Sequence, residues 1–269
     1  LNPNSPVWWR ILYFFGILLL ITLPIALPLR LWLGQSADTG LGIFLYVTFV
    51  LEVGWWGRKV WGQPAPYRYY GLAVNLASGR EFLWGLAIAL GSFSALLLLE
   101  VGLGWLVVQE VNLLPALLSG AVTAFGVSFA EELLFRGWLL TELERDLSPP
   151  SALWTNSLIF AVLHFIKPLE VILQTWVQFP GLLLLGIILV WVRRLTEGRL
   201  SMAIALHGGL VWVYYLIHHT QWLVPTGIVP EWLTGIGGNP IAGVVGLFFL
   251  AIMALGIATA RRRQKHPTP

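Results

Sequence analysis

The chain contains no cysteine. That absence excludes disulfides, a thiol nucleophile and Cys-ligated metal centres together, and it leaves the redox compartment unreadable from composition. Charge is the second scarcity. Only 11% of the residues are Asp, Glu, Lys or Arg, where soluble domains carry about 25%. With 57% hydrophobic residues over a length of 269, the composition is that of a polytopic membrane protein. The net charge of +3 leaves no footprint for nucleic acid. The basic residues sit between apolar runs and near the C-terminus rather than along one amphipathic face, so they act as topology signals, and no nucleic-acid partner is expected.

What fills the space left by charge is a series of apolar runs, over about residues 8–32, 41–56, 82–108, 114–140, 153–166, 171–192, 200–217 and 241–260. They predict an all-α bundle of about eight transmembrane helices, one integral membrane domain over residues 1–269. The first run is too long for a signal-peptide core and lacks a small-residue cleavage site, so it reads as a retained span. A span takes about 20 apolar residues, so the 153–166 run is short and has to be embedded in protein. With both termini placed in the cytoplasm, thirteen of the sixteen Lys and Arg residues fall on the inner side, Arg30 and Lys167 on the outer side and Arg136 within the membrane. This is a positive-inside pattern that a plasma or a thylakoid membrane would equally produce. Residues 57–80 read as a cytoplasmic interfacial loop rich in aromatics, and residues 261–269 as a basic tail beside anionic membrane lipid.

The fourth run carries the chemistry. Phe125-Gly-Val-Ser-Phe-Ala-Glu131-Glu132-Leu-Leu-Phe-Arg136 places two carboxylates and a guanidinium in an apolar helix, where lipid cannot solvate them and they must face the bundle interior or a wet cavity. At about 100° per residue, Arg136 lies about 40° around from Glu132 but about 140° from Glu131. The favourable i,i+4 pair is therefore Glu132 with Arg136. Glu131 has no local partner, which makes it a candidate general base; a structural knot of three charges between helices is the competing reading. Two further runs each bring a histidine. His164 shares a helix face with Phe160 at i,i+4. His207 precedes Gly208 and Gly209, which permit close approach of another helix or of a substrate backbone. His218 and His219, beside Thr220 and Gln221 at a run end, read as interfacial.

The order Glu131-Glu132-x-x-x-Arg136, Phe160-x-x-x-His164 and then His207 on a later helix resembles the CPBP (ABI) family of intramembrane peptidases, which includes the CAAX prenyl endopeptidases and bacteriocin-processing proteins. The resemblance covers about residues 114–217, the expected catalytic core. It implies hydrolysis of a peptide bond in a prenylated or membrane-associated substrate by a water held between a glutamate and a histidine. Glu131 is then the base, His164 positions the water, Glu132 with Arg136 forms the brace, and His207 donates to the oxyanion. Phe160, Gly208 and Gly209 are expected at the substrate. Members similar to the prenyl endopeptidases carry Asn or Asp four residues after the last histidine; here that place holds Val211. No cofactor is favoured, although two imidazoles and a carboxylate also suit zinc. Membrane lipid and a peptide or membrane-protein substrate are the expected partners. A scaffold or chaperone of the same family is the alternative, and a small transporter a third, weakened by the lack of internal repeats.

Overall fold

The computed structural model describes residues 2–265. The end of the basic tail, residues 266–269, lies outside the described residues. The apolar runs are mostly helical. Helix α1 (Val7–Leu33) turns through Gly34–Ala37 into α2 (Asp38–Lys59), the short α3 (Pro66–Tyr69) follows, and α4 (Leu76–Gly102) leads into strand β1 (Leu106–Val108). Helix α5 (Leu114–Glu132) continues through a π-helical segment, Leu133–Leu139, into α6 (Leu140–Asp146). Then come α7 (Pro149–Leu163), α8 (Leu169–Thr175), α9 (Phe179–Leu195), α10 (Ser201–Thr220), β2 (Leu223–Pro225), α11 (Glu231–Thr234) and α12 (Val244–Lys265).

Among the described residues, six segments are long and apolar enough to cross a membrane, which makes this a multi-pass integral membrane protein. The first of them, Val7–Lys59, is two helices folded back on each other, because Phe14 near the start of α1 packs edge-on against Trp56 near the end of α2. The expected count of eight is not reproduced. Helix α7 has only 15 residues, about 22 Å at 1.5 Å per residue, against a hydrocarbon core of about 30 Å. Ser148 caps its start, accepting from Ser151 N–H at 3.4 Å, and Pro168 follows its end and disfavours continued helix. The 82–108 run also divides. Its helix stops at Gly102, and Leu106–Val108 pairs antiparallel with Leu223–Pro225, tying the end of α4 to the end of α10.

The basic residues gather at the opposite end of the bundle. Arg199 bonds Glu81 at 2.9 and 2.6 Å, joining the starts of α4 and α10, and these hydrogen bonds push the Arg199 guanidinium pKa up. At the same end, Glu142 on α6 is completely buried and closes a clasp. It accepts from Arg10 Nε at 2.7 Å, Trp56 Nε1 at 3.0 Å and Trp61 Nε1 at 2.6 Å. Arg10 also reaches Asp146 at 3.0 Å. The aromatics of the 57–80 loop turn inwards against protein. The Arg145 guanidinium lies 3.3 Å from the centre of the Trp61 ring, Tyr69 accepts from Arg145 at 2.6 Å, and Tyr70 is fully buried.

The core below the clasp is aromatic. Trp138, fully buried, stacks on Phe14 at 3.9 Å between centroids and meets Trp56 edge-on at 6.0 Å. Helix α10 is held between α4 and α5 by close backbone approaches. A Cβ on Gly209 would lie 2.7 Å from Ala89 Cβ of α4, and one on Gly208 would lie 2.6 Å from the Phe125 ring of α5. Small residues at such positions are how membrane helices come into close contact.

Candidate active site

The candidate side chains are delivered by different features of this packing. Glu131 and Glu132 end α5, immediately before the π segment. A π segment within an α-helix is rare and concentrates at functional sites. Here it leaves room for Asn156 of α7 to donate to the Phe135 carbonyl at 2.7 Å. The Glu132–Arg136 pair nonetheless forms as the i,i+4 spacing predicts, at 3.0 Å, with both side chains fully buried. Arg136 also donates to the Gly186 carbonyl of α9 at 3.2 Å, and its guanidinium lies 4.2 Å from the centre of the Phe160 ring.

Glu132 has a second partner that the sequence did not disclose. Its Oε1 accepts from His207 Nδ1 at 2.9 Å, so one carboxylate fixes both Arg136 and His207. The hydrogen on Nδ1 follows from the chemistry, since the ionised carboxylate can only accept. The same reasoning fixes His164: its Nδ1 lies 2.7 Å from the Phe160 carbonyl oxygen, which again can only accept. Both imidazoles therefore turn Nε2 inwards, and both Nε2 atoms lie 3.9 Å from Glu131 Oε2. Phe160 stands edge-on to both rings, at 4.6 Å from His164 and 6.0 Å from His207.

The separation of 3.9 Å is too long for a direct hydrogen bond, which ends near 3.2 Å, and suits one atom held between the groups. The donor set of one carboxylate and two imidazoles is chemically acceptable to zinc. The geometry is too open for it: ligand bonds of about 2.0–2.2 Å at a tetrahedral ion place neighbouring ligand atoms roughly 3.3–3.6 Å apart. Among the described residues no group of three or more His, Cys, Asp or Glu is placed to hold a metal ion.

Glu131 and His164 are each a little under one-third exposed, at 28% and 29%, and they open onto a cavity of about 430 Å³. Phe160, His207 and Val211 line it with them. Its apolar wall comes from α4 (Phe93, Leu96), α9 (Leu182, Leu185) and α12 (Phe249, Leu250, Met253). A polar rim is set by Ser92, Lys167, Thr175, Gln178, Tyr214 and Asn239. Gly208 and Gly209 are not among its lining residues, and the space beside each is filled by a neighbouring helix. Tyr214 and Ser92 also line the cavity and carry no motif in the sequence. Tyr214 was legible there, standing seven residues after His207 on the same helix face.

A comparison with curated proteins gave no match. The segment that supplies Glu131, Glu132, Arg136, Phe160, His164, His207 and Val211, residues 114–213, matches the family model described as Type II CAAX prenyl endopeptidase Rce1-like, in agreement with the family that the sequence motifs resemble.

Proposed function

We propose that this protein is an intramembrane endopeptidase in which Glu131 activates a water held jointly with His164. The observation that carries the reading is the convergence of His164 Nε2 and Glu131 Oε2 at 3.9 Å on the wall of an otherwise largely apolar cavity. An oxygen about 2.8 Å from each atom fits that gap. In its neutral form His164 carries its hydrogen on Nδ1, so its bare Nε2 accepts one water hydrogen while Glu131 accepts the other. Both water hydrogens are then engaged and a lone pair is free to attack a carbonyl carbon.

The step is complete in protons. As the C–O bond forms, Glu131 takes one water proton, and it returns that proton to the amine nitrogen as the C–N bond breaks. His207, with Nδ1–H held by Glu132 and a second hydrogen on Nε2, donates to the oxyanion. Arg136 neutralises Glu132 and so keeps the brace fixed. Phe160 holds both imidazoles and the guanidinium at their angles. The apolar wall accommodates a lipid-modified or membrane-embedded peptide, with the polar rim taking its backbone; a CAAX-type prenylated peptide is one such substrate.

Incubation of the full-length protein in proteoliposomes with a prenylated peptide in ¹⁸O-labelled water tests the mechanism. The expected product carries one ¹⁸O in the new carboxylate and no peptide remains attached to the enzyme. A covalent peptidyl-enzyme intermediate would remove the activated-water reading. The cavity position of Val211, one turn beyond His207, gives a second expectation. Val211→Asn adds a donor beside the developing oxyanion and raises kcat by roughly tenfold or more, since one such donor is worth on the order of 100- to 1000-fold. An unchanged kcat places the oxyanion elsewhere.

A further inference from the structure

A second cavity, of about 660 Å³, opens at the basic end of the bundle between α7, α9 and α12. It holds none of the residues of the glutamate site. Leu153, Trp154, Leu184 and Trp191 form its apolar surface, and Arg194 and Arg261 stand at its end with Gln264. The charges there are unbalanced. Glu144 is the one carboxylate within 4.0 Å of Arg193 and Arg194, at 3.9 and 2.8 Å, among the described residues. Of the two guanidiniums that line the groove, Arg194 shares Glu144 with Arg193, and Arg261 has no ion pair among the described residues.

The two halves of this groove ask for different chemistry from one ligand. The guanidinium end calls for a phosphate or similar anion, which arginine binds through paired N–H donors. The apolar half, with a 57% exposed Trp154, calls for hydrocarbon. Tryptophan and arginine at one level also mark the boundary between headgroups and acyl chains. We propose that this groove binds an anionic phospholipid, its phosphate between Arg194 and Arg261 and its acyl chains along Leu184, Trp191 and Trp154. The lipid links α12 to α7 and α9, and α12 supplies part of the substrate-cavity wall.

Thermal unfolding of the full chain in neutral detergent tests this independently of any cleavage. Phosphatidylglycerol is expected to raise the midpoint saturably, by about 5 °C at high occupancy, with phosphatidylcholine producing no comparable shift. Arg261→Gln, which breaks no ion pair among the described residues, is expected to weaken the phosphatidylglycerol response about five- to tenfold in concentration. Gln264→Glu, which sets a carboxylate into the groove, is expected to weaken it likewise and serves if the first variant does not accumulate. Equal shifts with both lipids, an equal shift with inorganic phosphate alone, or an undiminished response in the folded variants would each overturn the proposal.

Discussion

Glu131→Gln is expected to abolish cleavage of a membrane reporter while leaving the folded protein as abundant as wild type. The isosteric amide keeps the size of the side chain but is not a base, and loss of a general base costs about 100- to 10,000-fold. Stability is expected to be spared because Glu131 stands at the cavity wall, 28% exposed, with both histidine Nε2 atoms 3.9 Å away, beyond direct hydrogen-bond reach. Substrate affinity is spared for the same reason, so the loss falls on kcat rather than KM. Comparative proteomics of membranes carrying wild type or the variant provides the substrate at the same time, as peptides that accumulate uncut. Undiminished cleavage would falsify the assignment of Glu131.

Arg136→Leu is expected to show the opposite signature, with protein level falling together with activity. It strands Glu132 in a fully buried position, and breaking one side of a buried ion pair costs about 3 to 5 kcal/mol. That is a large share of a typical total of about 5–15 kcal/mol. The loss is not confined to one bond, because Glu132 also holds His207 and Arg136 also holds the Gly186 carbonyl. Replacing both charges, Glu132→Leu with Arg136→Leu, is expected to recover most of the thermal stability, since an apolar pair carries no desolvation penalty. Activity is not recovered, because His207 loses its acceptor. A single variant with wild-type melting temperature would show that the pair does not brace the site.

The Glu132–Arg136 pair was legible because it depends only on spacing within one helix. The convergence of Glu131, His164 and His207 depends on three helices meeting, and periodicity within a run says nothing about which runs meet; resemblance to a family supplied that link. The His207–Glu132 bond was hidden for the same reason. The π segment after Glu132 left no mark in the sequence either, since Leu133–Leu139 has the composition of ordinary helix. Gly208 and Gly209 signalled close approach correctly, but close approach of helix or of substrate calls for the same residue. The 82–108 run was read as a single helix because a short apolar strand such as Leu106–Val108 cannot be told from helix by periodicity alone. The cavity wall was the least accessible part. Helices α4 and α12 lie outside the matched segment and, Ser92 of α4 apart, bring ordinary apolar side chains.

The Glu142 clasp sets an order of assembly. Trp56 and Glu142 are separated by 86 residues, so at about 5–20 residues per second of synthesis roughly 4 to 17 s pass between them. For that interval the α1–α2 hairpin exists without the acceptor of its Arg10, Trp56 and Trp61 donors. Their place at the basic end of the bundle, where water and headgroups can serve them in the meantime, makes such a wait tolerable. The same three donors at the centre of the bilayer would have no substitute partner. The hairpin can therefore enter the membrane early and dock late, when α6 emerges bearing the carboxylate that locks it to the core.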